Sequence, residues 1–212
     1  MPVKRIPPGF EKNVFINCPF DEKYLPLFRA VIFTVHDMGF RARSALEARN
    51  AGQVRIDKIQ DTIAECKYSI HDLSRTQLDK TYRLPRFNMP LELGIDLGCK
   101  RFGKGHEQEK VILVLDVQRF RYQRFISDIA GQDVYEHGGT QRQVITQVRE
   151  WLRPELDPKK VIIPSGAELL RRFRNFQRAL PSICASLTWD PDQLGFVDYA
   201  YAVAFWIRAN AL

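Results

Sequence analysis

The residue whose type and place carry the most chemical meaning is Glu92. It lies in FNMPLELGIDLG, a helix that Pro90 can begin, and follows the strand-like run YSIHDLS across a polar segment. In an open α/β sheet, a helix start facing the carboxyl ends of the strands is where ligands are kept. A carboxylate there can stabilise positive charge growing on a bound carbon, or capture that carbon covalently. His71 and Asp72 close the preceding strand, and either type can move a proton at a leaving group. Strand alternation turns one of the two toward the helices covering the sheet, and Asp72 is the favoured acid. Arg49 and Arg55 flank the loop after the second strand and Arg75 follows the third, so any of them can hold a pyrophosphate. Plainer roles stand beside these: an acid in a first helical turn complements the helix dipole, and loop arginines are often just solvated.

The elements that must position these groups alternate along the chain. NVFINCPF is a short apolar first strand stopped by Pro19 and Asp21, with Asn17 and Cys18 at its carboxyl end. YLPLFRAVIFTVHDMG has apolar residues at helical spacing and stops at Gly39. FRARSALEA reads as a second strand and ARNAGQVR as a loop. IDKIQDTIAEC repeats Ile56, Ile59 and Ile63 along one helical face, and YSIHDLS is the third strand. RTQLDKTYRLPRF is a loop, EKVILVLD is the plainest strand, and QRFRYQRFISDIAGQDVYEHGG is a long connection of helical and loop character. TQRQVITQVREWLRPEL is a helix ending near Pro154. Strands separated by helices predict an α/β fold, flavodoxin-like or Rossmann-like, with a mostly parallel sheet and helices on both faces. That domain is expected over 1–160. Over 161–212 two aromatic-rich helices, AELLRRFRNFQRALPSICASL and FVDYAYAVAFWIRANAL, form a C-terminal helical extension that acts as a lid or a dimer-forming element.

Composition excludes several classes. Hydrophobic residues at 45% and charged residues at 27% of 212 are an ordinary globular balance. Cys18, Cys66, Cys99 and Cys184 show no CxxC pair, and His36, His106 and His137 have no partner at ligand spacing, so no metal is expected. The thiols read as reduced and mostly buried; with no signal peptide and no membrane-length apolar run, a cytoplasmic location is expected. The absence of GxGxxG, GxxxxGK and GxSxG disfavours hydride-transfer dehydrogenases, P-loop ATPases and serine hydrolases. The net charge of +7 is concentrated in KRFGKG, QRFRYQRF and LLRRFRNFQR, clusters that attract polyanions.

VFINCPFD, RIDKIQDTIAECKYSIHDLSR and FNMPLELGIDLG together resemble the superfamily of nucleoside 2-deoxyribosyltransferase-like proteins and bacterial TIR-like NAD-processing domains. In that group a strand closes in an Asp-Leu-Ser-like turn, matched by Asp72, Leu73 and Ser74. A helix start then supplies the catalytic glutamate, matched by Asn88, Glu92, Leu93 and Gly94. The resemblance covers roughly residues 13 to 152. It implies Glu92 and Asp72 as catalytic residues. Asn17, Cys18, Pro19, Phe20, Arg55, Ser74 and Asn88 are expected to contact substrate. The deoxyribosyltransferases usually carry a tyrosine near the end of the first strand, where this chain has Asn17 and Cys18.

Breaking an N-glycosidic bond builds positive charge on the sugar carbon, which a carboxylate beneath it stabilises or captures. Nicotinamide leaves NAD without needing a proton, whereas a purine also needs an acid such as Asp72 or His71. The expected function is therefore cleavage or transfer at the N-glycosidic bond of a nucleotide, with NAD as substrate rather than cofactor. NAD glycohydrolase or ADP-ribose cyclase-type activity fits best, and family resemblance implies a homo-oligomer and a role in bacterial antiviral defence. One rival is a nucleoside 2-deoxyribosyltransferase. Another is a non-catalytic nucleotide sensor or nucleic-acid-associated interaction module using Arg171, Arg172, Arg174 and Arg178, with nucleic acid or a defence protein as partner.

Overall fold

A computed structural model describes residues 6–47, 50–76 and 87–211. Its five strands are β1 (Asn13–Asn17), β2 (Arg41–Arg43), β3 (Tyr68–Asp72), β4 (Val111–Asp116) and β5 (Val134–Glu136). Among the described residues there are six α-helices: α1 (Leu25–Asp37), α2 (Arg55–Ala64), α3 (Asn88–Phe102), α4 (Gln141–Leu152), α5 (Gly166–Ser186) and α6 (Phe196–Ala209). The strands form one all-parallel sheet in the order β2-β1-β3-β4-β5, flanked by helices, as in flavodoxin-like folds. The order reverses between β1 and β3, which makes the carboxyl ends of these two strands the switch point of the sheet.

β5 is absent from the sequence reading, which runs a connection through it. Only three residues pair, Val134 opposite Val114 through Glu136 opposite Asp116, and two of the three are exposed, so no apolar run announces a strand. Other elements follow their local signals. Gly39 adopts φ 79 just beyond α1, a left-handed conformation that costs glycine nothing. Thr140 and Ser165 cap α4 and α5 by accepting hydrogen bonds from Gln143 N and Glu168 N. Residues 77–86, most of the segment expected to be a loop, and Arg49 lie outside the described residues.

The tertiary contacts divide the chain into two compact units, one of Met1–Asp21 with Arg43–Gly138 and one of Glu22–Ala42 with Gly139–Leu212. The partition differs from a division at residue 160, because α1 and α4 group with the C-terminal helices. In that second unit Phe33 of α1 is the hub. Its ring centroid lies 5.4 Å from Phe173, 5.5 Å from Phe176 and 5.8 Å from Trp206, so these aromatic residues of α5 and α6 are core. Arg172 closes the unit by donating two hydrogen bonds to Asp37, at 2.8 and 2.7 Å, while its guanidinium lies 5.1 Å from the Trp206 ring centroid.

In the first unit α3 straddles two apolar clusters. Met89, Leu93 and Leu97 pack with Leu73 and Val114, whereas Ile95 and Cys99 pack with Phe15, Ile59 and Ile63. Glu92 and Asp96 lie on the strip of helix between those two sets of contacts, and both are buried. Two carboxylates are therefore carried into the interior of an otherwise apolar packing.

Candidate active site at the β1/β3 switch point

β1 and β3 pair in parallel with Asn17 opposite His71, so these two side chains stand next to each other on the α3 side. Asn17 Nδ2 donates to the Met89 carbonyl at 3.0 Å and lies 2.9 Å from His71 Nδ1. A carbonyl can only accept, so the Met89 contact fixes the amide with its nitrogen on this side, and His71 Nδ1 must accept from it. That leaves the proton on His71 Nε2, which donates to Asp96 Oδ2 at 2.9 Å. Asn17 thus ties the first turn of α3 to the ends of both strands.

Asp96 is held from its other side by Lys110, whose Nζ lies 3.1 Å from Oδ1. Lys110 is 1% exposed and also donates to the Ile63 carbonyl at 2.7 Å and to the Cys66 carbonyl, at the end of α2. Two hydrogen bonds to carbonyls and an ion pair with a carboxylate are what make a buried ammonium tolerable. Burial opposes charge on Asp96, but the His71 hydrogen bond and the Lys110 ammonium outweigh it and hold this carboxyl below the usual range. A polar chain runs from Lys110 through Asp96, His71 and Asn17 to the backbone of α3.

Glu92, one turn before Asp96, has the opposite surroundings. It is 5% exposed, and among the described residues no side-chain or backbone group hydrogen-bonds to its carboxyl. Burial pushes it up to about 7, and the positive charge of Arg55 at the start of α2 offsets only part of that. Asn17 Oδ1, buried in the same region, also has no hydrogen-bond partner among the described residues. Buried polar atoms are normally satisfied, so an unpartnered amide oxygen near a carboxyl that has no hydrogen bond marks this end of the sheet as the candidate site. Burial, against the opposing charges of Arg43 and Lys110, pushes the Cys66 thiol up to about 12, which keeps that sulfur inert.

The other expected site residues divide by face. Cys18 and Pro19 are buried beyond the end of β1, while Phe20, Arg55 and Asn88 are exposed. Asp72 points to the face of the sheet opposite His71. Its Oδ1 accepts from Ser74 N at 2.8 Å and its Oδ2 lies 3.0 Å from His137 Nε2, so the structure does not bring it to Glu92. Beside it, Asp116 accepts from Arg121 Nε at 2.9 Å, and the same guanidinium donates to the Leu73 carbonyl at 2.7 Å. Burial and the Asp72 charge raise the Asp116 carboxyl despite Arg121. Arg75 is taken up by Asp21 at 2.9 Å, which clips the loop after β3 to the loop after β1.

Sequence reasoning missed Asp96, Lys110 and His137. Asp96 carried a usable signal, a second carboxylate four residues after Glu92 on a helix whose other faces are apolar. Lys110 and His137 carried none, since a lysine before a strand and a histidine before two glycines usually face solvent. No protein-family model, curated protein or solved structure matches this chain.

Proposed function

We propose that the chain cleaves or transfers at the N-glycosidic bond of a nucleotide, most simply by releasing nicotinamide from NAD, with Glu92 as the catalytic carboxylate. The observation that carries this reading is a glutamate that is 5% exposed, without a hydrogen bond among the described residues, and poised near neutrality at the switch point. When the bond between the sugar carbon and the pyridinium nitrogen breaks, its electron pair goes to nicotinamide, which leaves neutral. The positive charge passes to the sugar carbon and ring oxygen, where ionised Glu92 stabilises it. Water or another acceptor then adds to that carbon and loses its proton. Asn17 Oδ1 accepts from a ribose hydroxyl, and exposed Arg55 approaches the pyrophosphate.

The position of Asp72 favours NAD over a deoxynucleoside. Its engagement with His137 and Ser74 on the far face leaves it badly placed to protonate a departing purine, and nicotinamide needs no such proton. Self-association belongs to the same proposal. Val197, Tyr201 and Phe205 are 53%, 47% and 39% exposed at four-residue spacing on α6, an apolar stripe suited to a second copy of the helix. No helix among the described residues is long and apolar enough to cross a membrane. The four cysteines are free, in keeping with the cytoplasm.

Purified protein at high concentration, incubated with NAD or with a deoxynucleoside plus a free base, tests the reading by chromatography of the products. Nicotinamide release that disappears in Glu92→Gln supports it. Base exchange without NAD cleavage assigns the chain to deoxyribosyl transfer. Nucleotide binding without turnover, equal in wild type and Glu92→Gln, makes the chain a sensor and removes the catalytic role.

A further inference from the structure

We propose that the second unit carries a nucleic-acid-binding track, formed by arginines of α4 and α5 and distinct from the Glu92 site. A cleft of about 190 Å³ is lined by Arg142 at the start of α4 and by Arg171, Arg174 and Arg178 of α5, with Ala167 and Leu170 as its floor. The three α5 residues follow one another at intervals of three and four, so one helical face carries them all, and all four arginines are exposed. Like charges gathered in one concavity repel one another, and little on the protein offsets this. Among the described residues the carboxylate that meets them is Glu168, and it is already bound to Arg171. Arg178 meets only the neutral Asn175, and no carboxylate partners Arg142 or Arg174 among the described residues.

The sequence groups Arg172 with these arginines, yet the structure separates it. Arg172 is 5% exposed and spent on Asp37 and Trp206, so it anchors α5 to the core of the unit while its neighbours are displayed on a rigid helix.

The positive track continues past the cleft. A second, larger cavity of about 710 Å³ lies at the other end of α4 and includes Arg149, Arg153, Lys159 and Lys160 in its lining. Arg149 and Lys160 are paired with Glu150 and Asp157, which leaves Arg153 and Lys159 without a carboxylate among the described residues. From Arg142 to Arg153 the helix advances roughly 16 Å, about five phosphate steps along one strand of a duplex. A single small anion would use one end of such a track, and a flat bilayer would not enter a concave cleft. A phosphodiester backbone matches both its length and its shape, and guanidinium groups grip phosphate oxygens in pairs.

Fluorescence anisotropy with a labelled mixed-sequence DNA duplex, measured across a salt series, tests the proposal on the full chain. Five unpaired cations (Arg142, Arg153, Lys159, Arg174 and Arg178) predict that log K falls against log salt with a slope of about −4.5. Arg142→Gln combined with Arg174→Gln should flatten that slope by about 2 and weaken binding at least tenfold at low salt, with an unchanged thermal melt. The matched control Lys100→Gln with Arg101→Gln, at the far end of α3, should leave the slope as it was. The proposal is overturned by an equal loss in both double variants, by an unchanged slope in the first, or by binding to phosphatidylserine vesicles in place of DNA. NAD cleavage by the Arg142/Arg174 variant should equal that of wild type, so a failure of the glycosidic reading leaves this result standing on its own.

Discussion

Glu92 and Asp96 stand four residues apart on α3, both buried, and are driven in opposite directions: Glu92 is pushed up to about 7 while Asp96 is held below the usual carboxylate range. The difference is one of partners. His71 and Lys110 meet Asp96 directly, whereas the charge facing Glu92 is that of Arg55 on an exposed helix start. Two carboxylates separated in this way divide the labour of a site, one holding the scaffold and the other left free to change its charge with a ligand.

The activity should therefore follow the ionisation of Glu92. Only the carboxylate stabilises a cationic sugar carbon, so kcat/KM for NAD should climb nearly tenfold per pH unit below about 7 and level off above it. A rate that instead falls as pH rises through this range would assign Glu92 the role of proton donor. Glu92→Gln should lower kcat at least a thousandfold at pH 8, an order of magnitude based on losing a transition-state charge partner.

The same carboxyl should weaken the fold at high pH. Its value is raised in the folded state from 4.5 to about 7, so between these values the native chain holds a proton that the unfolded chain has lost. Stability is then fully present below about 4.5 and is lost as pH rises toward 7, by on the order of 2–3 kcal/mol. Urea denaturation of wild type and Glu92→Gln at pH 5 and pH 8 should show the variant gaining this amount at the higher pH. Parallel behaviour of the two proteins would mean that the carboxyl is well solvated after all.

The Lys110–Asp96 pair makes a different prediction. Asp96→Asn strands a buried ammonium beneath α3 and should cost about 3–5 kcal/mol in urea denaturation, as broken buried pairs do. Lys110→Met added to Asp96→Asn should recover much of the loss, because the uncompensated charge is gone. A double variant no more stable than Asp96→Asn alone would place the value of Asp96 in its bond to His71.

The parallel sheet was legible because β1 and β4 are unbroken apolar runs and because α1, α2 and α4 carry their apolar residues at helical spacing. Glu92 was legible because a carboxylate near the start of a helix after a strand has few places to go. What stayed hidden is long-range. Nothing near Lys110 in the sequence announces the carbonyls of Ile63 and Cys66 that make its burial possible, and nothing near Asp72 announces His137. The aromatic residues of α5 and α6 were readable as packing residues, but their partner, Phe33, sits 140 residues before Phe173. Which apolar face meets which is decided by chain topology, and local periodicity carries no record of it.

The exposed stripe of α6 yields the last prediction, since self-pairing constrains charge as well as apolar contact. Asp198 and Arg208 flank Tyr201 and Phe205, and neither has a charged partner among the described residues. Two copies of α6 packed antiparallel about a two-fold axis bring Asp198 of each near Arg208 of the other, with Tyr201 beside Phe205 between them. Light scattering after size exclusion should report a dimer for wild type and a monomer for Tyr201→Glu. Asp198→Arg alone should weaken the dimer by setting like charges face to face, and adding Arg208→Asp in the same chain should return it, because the swap rebuilds both pairs. A double variant as weak as the single one would rule out this antiparallel register, and a wild type monomeric at every concentration would remove the interface altogether.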